Sequence, residues 1–342
     1  MDVIGTVAAQ LVPVIALIAL GAVLNGIRFF PDGFIDGLKR FVAGVTLPVL
    51  IFRAFARMEL RGEYFVLAAA VFGVCVLMIF AGRALARLAG ARSRYAPFLF
   101  QGFEAGMIGY ALFSAVYGAD RTGVFAVVDL GQVVFVFTVL MAQLVAVRER
   151  PDARSLAAGF QKSPVIIAIA LGLAASAVMP ALDTRSFWFE TIFTRLFGSI
   201  EGLTTPLVCI VIGAGITLDR RVFAGAVKTV AARTAVLAAA GVLFAAYLVP
   251  ALGLPRIYSA AILTLFVLPP PFVIAVFGAA PSPATVGRGD SGAAVPAVGA
   301  SESAVTGCRP DEDEAFVSAV LSTGTLVSLA AFAVITVVLG PV

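Results

Sequence analysis

The chain has 342 residues, 61% of them hydrophobic and only 13% charged, with mean hydropathy +1.05 and formal net charge +4. A water-soluble domain is close to half apolar and about a quarter charged, so a lipid bilayer is the natural solvent for this composition. Histidine is absent and there are three cysteines, which excludes histidine metal sites, histidine proton relays, histidine-based triads and a disulfide framework. The dispersed basic residues make no nucleic-acid surface.

Taken in chain order, Met1-Asp2-Val3 has no basic leader, and the first apolar run is too long for a signal-peptide core, so it reads as a retained span. Apolar runs predict spans over 4–24, 34–55, 64–88, 95–117 and 124–147. A basic hinge at 148–162 follows, then spans over 165–182, 196–216, 230–252, 257–277 and 316–339. The expected fold class is therefore an all-α integral membrane protein of ten spans. Its divisions are a first five-helix repeat at 1–147, the cytoplasmic linker 148–162 and a second repeat at 163–342. A Gly-, Ala-, Ser- and Pro-rich stretch ending in Asp311-Glu312-Asp313-Glu314 reads as a flexible insert, 278–314, on the inside face.

Placing the N-terminus outside puts most Lys and Arg in loops on the inner side, among them Arg83, Arg87, Arg92 and Arg94, and the group Arg220, Arg221, Lys228 and Arg233. Both termini are thus expected outside a plasma or inner membrane. The two halves echo one another. Pro13-Val14-Ile15-Ala16-Leu17-Ile18-Ala19-Leu20-Gly21 matches Pro164-Val165-Ile166-Ile167-Ala168-Ile169-Ala170-Leu171-Gly172, and Thr46-Leu47-Pro48 matches Thr204-Thr205-Pro206. With five spans per half, the second copy enters from the opposite side, the inverted repeat of many secondary transporters.

The chemistry concentrates in the fourth span, Phe100-Gln101-Gly102-Phe103-Glu104-Ala105-Gly106-Met107-Ile108-Gly109-Tyr110. A carboxylate at mid-bilayer costs about 2.5–3.5 kcal/mol and normally faces a cavity. Gly102, Gly106 and Gly109 favour an unwound segment with free backbone groups. Glu104 suits a proton site, a cation site or a polar substrate contact; a purely structural pairing is the competing reading. Leu268-Pro269-Pro270-Pro271-Phe272-Val273-Ile274 breaks the ninth span, and Pro270 and Pro271 free carbonyls at the same depth. Asp129 and Gln132, one turn apart in the fifth span, either face Glu104 or brace their helix. Gln101 is a weaker candidate, and Gln10 and Gln143 read as helix-packing groups. No phosphate-binding Gly-x-x-x-x-Gly-Lys-Ser/Thr loop and no Gly-x-Ser-x-Gly motif occurs, so neither ATP-driven transport by this chain nor an enzyme is expected.

At Leu47-Pro48-Val49-Leu50-Ile51-Phe52, the Gly-broken fourth span, Pro271-Phe272-Val273-Ile274-Ala275 and Ala319-Val320-Leu321-Ser322-Thr323-Gly324-Thr325-Leu326-Val327-Ser328, the sequence resembles the auxin efflux carrier family in its bacterial permease branch. The resemblance covers nearly the whole chain apart from the insert. It implies two inverted five-helix repeats of the sodium/proton antiporter and bile-acid symporter type. Spans 1, 2, 6 and 7 would form a scaffold, often dimeric, and spans 3–5 and 8–10 a moving transport domain with spans 4 and 9 crossing. It also implies an organic-anion substrate. Two positions depart from the family's pattern: Glu104 stands where Asn is common, and Ala111 where Pro is common. A carboxylate repels an anion by roughly 4 kcal/mol at about 4 Å unless it is protonated or cation-bound.

The sequence therefore predicts a secondary active transporter, a permease or efflux carrier, for a small organic solute. Its partners are that solute and the bilayer, and it needs no cofactor beyond a coupling proton or sodium ion. The rival reading is a proton- or sodium-coupled ion exchanger using Glu104 and Asp129 as a carboxylate pair. A membrane receptor is a third reading, disfavoured by the lack of a sizeable soluble domain.

Overall fold

A computed structural model describes residues 3–31, 33–56, 61–148, 164–178, 189–215, 222–278 and 310–339. The hinge after Arg148, Cys308 and nearly all of the expected 278–314 insert lie outside these residues. The protein is all-α, with no strand among the described residues. Its helices are α1 (Val3–Gly26), α2 (Phe34–Phe41), α3 (Leu47–Ala56), α4 (Gly62–Leu88), α5 (Tyr110–Tyr117), α6 (Thr122–Phe135) and α7 (Met141–Arg148). Then come α8 (Pro164–Val178), α9 (Phe197–Gly215), α10 (Phe223–Leu243), α11 (Val249–Ala251), α12 (Arg256–Val267), α13 (Val273–Gly278) and α14 (Pro310–Leu339).

Among the described residues six helical segments are long and apolar enough to cross a membrane: Gly62–Leu88, Phe98–Tyr117, Ala119–Leu144, Thr191–Gly215, Phe223–Ala251 and Glu312–Leu339. The shorter apolar helices are Val12–Gly26, Ile167–Val178 and Arg256–Val267. Helix thus lies on part of each predicted apolar run, with breaks in the fourth and ninth, and the stretch of α2 and α3, which carries Lys39, Arg40 and Arg53, is not among the six. Between α2 and α3 lies a π-helical turn, Val42–Thr46, in which the Leu47 N–H reaches back to Val42 O. This turn precedes Pro48, which has no N–H to continue the ordinary ladder.

Two sets of helices interlock. In one, α1 lies against α9, α3 against α8, and α3 against α9. In the other, α4 lies against α6, α10 against α14 and α12, and α12 against α6. Lipid tails give apolar helices no hydrophobic reason to associate, so close backbone contact through small residues does the work. Gly21 abuts the Ile210 carbonyl, Gly213 the Ile18 carbonyl, and Gly131 the Ala68 carbonyl, leaving no room for a Cβ at any of the three. A Cβ on Gly172 would lie 2.7 Å from Phe55 Cβ and 2.9 Å from Phe52 O. Among the six spanning segments, Phe98–Tyr117 is the most enclosed and Phe223–Ala251 the least, so the fourth predicted span forms the middle of the molecule.

Gly131→Ala should destabilise the protein by about 2 kcal/mol through overpacking against Ala68, read as a lower thermal transition in detergent. Gly73→Ala, where a Cβ meets open space, should hold or raise that transition.

Candidate functional site

The segment from Phe98 to Tyr117 does not run as one helix. A short 3-10 turn, Phe98–Phe100, stops at Gln101, whose backbone is extended, and a π-helical turn, Ala105–Gly109, then leads into α5. The reversal needs Gly102, which has φ +63°; a Cβ there would sit 2.9 Å from Val136 Cγ2 and 3.0 Å from Pro271 Cγ. The chain also breaks between α12 and α13. Leu268 is extended (ψ 153°), three prolines follow, and helix resumes at Val273.

The two breaks lie against each other. The Glu104 N–H donates to Pro269 O at 2.9 Å. A Cβ on Gly109 would lie 2.6 Å from Phe125 Cζ and 2.7 Å from Leu268 Cδ1, and one on Gly106 would lie 3.1 Å from Leu47 Cδ2. Gly106 and Gly109 therefore permit close crossing, whereas Gly102 turns the chain. Pro270 is buried beside Gly324 of α14, where a Cβ would meet Pro270 Cδ at 3.4 Å.

Glu104 is buried at this junction, with 9% of its surface exposed. Its Oε1 accepts the Met107 N–H at 3.1 Å and its Oε2 accepts the Phe272 N–H at 2.5 Å. One carboxylate thus bonds the backbone at the start of both resumed helices, where amides lack an intrahelical partner.

The carbonyl ends are served by Arg233 of α10. Its Nη1 donates to Leu99 O at 3.0 Å, and its Nη2 donates to Gly102 O at 2.5 Å and Leu268 O at 3.4 Å. The guanidinium also stands 5.3 Å from the centre of the Phe103 ring. Phe103 packs on Phe266, which packs on Phe244, so the cation rests on an aromatic wall. Ser328 of α14 donates to Val267 O at 2.6 Å, satisfying a further carbonyl at the break. The crossing therefore contains a resident anion at two helix starts and a resident cation at two helix ends. A carboxyl group can exchange a proton in such a place, whereas the guanidinium remains charged.

Asp129 and Gln132 lie on α6, both buried, and Gln132 Nε2 donates to Asp129 Oδ1 at 3.0 Å. The Tyr110 hydroxyl faces Asp129, and the two side chains interact directly. Gln132 Oε1 is without a hydrogen-bond partner and lies beside Gly102. Gln101 turns the other way, accepting from Gln143 Nε2 of α7 at 3.0 Å. So Glu104, the glycines and the prolines meet at the crossing, Asp129 and Gln132 stand beside it, and Gln101 joins a separate pair. Gln143 has the packing role expected of it.

A cavity of about 270 Å³ opens near the start of α6. Arg53 of α3, Glu201 of α9, Tyr64 of α4, Thr122 of α6 and Tyr258 of α12 line it. Arg53 and Glu201 form a part-buried ion pair at this cavity, and the Tyr64 and Tyr258 rings stack at 5.6 Å.

Arg233 counts among the inner-side basic residues in the sequence, although the span predicted over 230–252 already contains it near its start. The signal was present, since the apolar run extends back to Phe223 and sets Arg233 well inside the membrane segment. Ser328 stood in a quoted motif, but nothing in the sequence pairs it with Val267. No protein-family model matches the chain, and no curated protein matches its sequence.

Arg233→Met should remove the donor from three buried carbonyls and destabilise the fold by about 2–3 kcal/mol. Arg233→Lys should recover part of this loss, because an ammonium lacks the planar fork. Thermal unfolding in detergent measures both.

Proposed function

We propose that the protein is a secondary active transporter that carries a small organic solute, an organic anion, across the membrane by alternating access. The observation that carries this reading is the Glu104 carboxylate, bonded to Met107 and Phe272 N–H groups where two broken apolar helices meet. Broken helices at membrane depth are tolerated beside protein or a water-lined path, and in transporters they mark the substrate site. The anion assignment rests on the resemblance to auxin efflux carriers.

Two observations support an inverted repeat of five spans each. Gly21 and Gly172 occupy the same place in the matching first and sixth spans, and each abuts a neighbouring helix. Their partners, Ile210 and Phe52, each lie four residues after the matching prolines Pro206 and Pro48. The contacts α1 with α9 and α3 with α8 exchange under the same relation, as do α4 with α6 and α10 with α14. On this reading α1–α3, α8 and α9 are the scaffold. The rest would move, and the cavity between Arg53 and Tyr64 would be an approach to the site from the outer face.

Glu104 already occupies the amides that would receive an anion. An anionic solute therefore reaches the crossing only with Glu104 neutralised, which makes transport proton-coupled, with Glu104 as the coupling group. The second reading, a proton- or sodium-coupled ion exchanger, is favoured by the buried Asp129 carboxyl and the unpartnered Gln132 Oε1 beside it.

Proteoliposomes facing a panel of organic anions, with and without a pH gradient, test the proposal. Wild-type uptake should follow the proton gradient, and Glu104→Gln should remove that dependence. Uptake unchanged by Glu104→Gln would leave Glu104 a structural cap, and proton flux without any organic solute would favour the exchanger.

A further inference from the structure

The outer face of α4 changes character at the helix end. Its buried face, Leu67, Val71, Cys75, Met78, Gly82 and Ala86, repeats at helical spacing. The opposite face carries Leu77 and Phe80, 63% and 65% exposed, and then Arg83 and Arg87, which are exposed too. Residues four apart on a helix are neighbours, so these two guanidinium groups stand together. Helix α4 has 27 residues and is roughly 40 Å long, about 10 Å more than the hydrocarbon core of a bilayer. Counted from Tyr64 at the opposite interface, the core ends near Arg83, and Arg87 lies among the headgroups. Gly90, with φ +69°, then ends the helix: its N–H donates to Arg87 O and the Ala91 N–H to Ala86 O, which keeps exposed Arg92 at the same membrane surface. From Tyr64 to Phe103 the chain has no Asp or Glu, and none of Arg83, Arg87 and Arg92 forms an ion pair among the described residues. Arg94 differs, because it pairs with Asp313 at 3.2 Å and lies over the Tyr95 ring at 5.0 Å.

We infer that Arg83, Arg87 and Arg92 bind the phosphate of an anionic phospholipid whose acyl chain lies along Leu77 and Phe80. Guanidinium groups match the geometry of phosphate oxygens and keep their charge at the membrane surface. An apolar stripe that ends in basic residues at headgroup depth presents the same order of parts as a lipid, tail and then phosphate. The fold alone does not call for these arginines. In the repeat proposed above, α10 and its continuation to Ala251 match α4. The corresponding end there, Phe244-Ala245-Ala246-Tyr247-Leu248-Val249-Pro250-Ala251, has no charged residue, although its last carbonyls are left over in the same way. A topology signal needs only positive charge on this side of the membrane, whereas a lipid site needs Arg83 and Arg87 in this one place. Occupancy reaches the helix crossing through the next residue. A Cβ on Gly82 would lie 2.9 Å from both Phe100 Cβ and Pro97 O, so this turn of α4 is pressed on the turn that precedes the fourth-span break. A lipid seated on Arg83 and Arg87 would steady the surface against which Phe98–Phe100 packs. The lipid site stands without the transporter reading; only its consequence, uptake that depends on anionic lipid, rests on it.

The test is lipid binding to the purified full-length protein in dodecyl maltoside, read by native mass spectrometry and by thermal unfolding. Dioleoylphosphatidylglycerol, dioleoylphosphatidylcholine and inorganic phosphate are titrated separately at constant ionic strength. Phosphatidylglycerol should stay bound and raise the unfolding temperature with saturation, and the other two should do neither. Replacing both Arg83→Gln and Arg87→Gln should weaken the apparent phosphatidylglycerol affinity at least about tenfold. Replacing Lys39→Gln and Arg40→Gln, two basic residues expected on the same side of the membrane, should leave it unchanged. Arg87→Gln alone should weaken it at least about threefold, and decides the matter if the double variant does not fold. An equal response to phosphatidylcholine, or an equal loss in the Lys39 and Arg40 variant, would overturn the site and leave these arginines as diffuse topological charge. Saturable binding of inorganic phosphate that Arg87→Gln weakens would overturn the lipid as ligand. None of these readouts needs a transported solute. Lipid binding without uptake of any solute would overturn the transporter reading and leave the site standing, and uptake without selective lipid binding would do the reverse.

Discussion

A helix that stops inside a bilayer leaves amides and carbonyls with no water to bond, and the rest of this structure is arranged around that constraint. Two helices stop at the same place. The amides at the restart are taken by Glu104, and carbonyls at the stops by Arg233 and Ser328. Each charged group costs free energy to bury, yet each serves both breaks at once. The like dipole ends of the two helices are thus answered by opposite charges. Leu47, Gly106 and Gly109 then close the remaining space.

How far this was legible in the sequence follows from its chemistry. Apolar runs of spanning length declare themselves, and helix lies on part of every predicted one. The breaks were legible too, because Gly102 and Pro269-Pro270-Pro271 are residues that helices reject. Glu104 stood out as a charge among apolar neighbours. Arg233 did not, because a basic residue near the edge of an apolar run reads as a loop charge until the run is extended backward. The function of Gly106 and Gly109 was half legible: small residues were expected, but whether they unwind a helix or admit Leu47, Phe125 and Leu268 is decided by tertiary neighbours no local pattern contains. Gln101 illustrates the same limit. Its position beside Glu104 in the chain means little once the backbone turns at Gly102 and points it to Gln143.

The buried charges also separate two tasks within a small volume. Arg233 and Glu104 bond backbone directly, so changing either alters the shape of the crossing. Asp129 pairs with the side chains of Gln132 and Tyr110 rather than with the breaks. In the proposed transporter this leaves Asp129 able to respond to an ion without dismantling the breaks, while the stacked rings of Tyr64 and Tyr258 and the Arg53–Glu201 pair border the approach.

The reach of Arg233 has a consequence for how the molecule is made. Its Leu99 and Gly102 acceptors precede it by more than 130 residues in the chain. A growing polypeptide that has delivered its first five apolar runs into the bilayer still lacks the guanidinium those carbonyls require. The amino-terminal half therefore waits in lipid with part of its backbone unanswered until the later half arrives. Biogenesis is thereby tied to the joining of the two halves, and a truncated product carries its own mark of incompleteness at the heart of the fold.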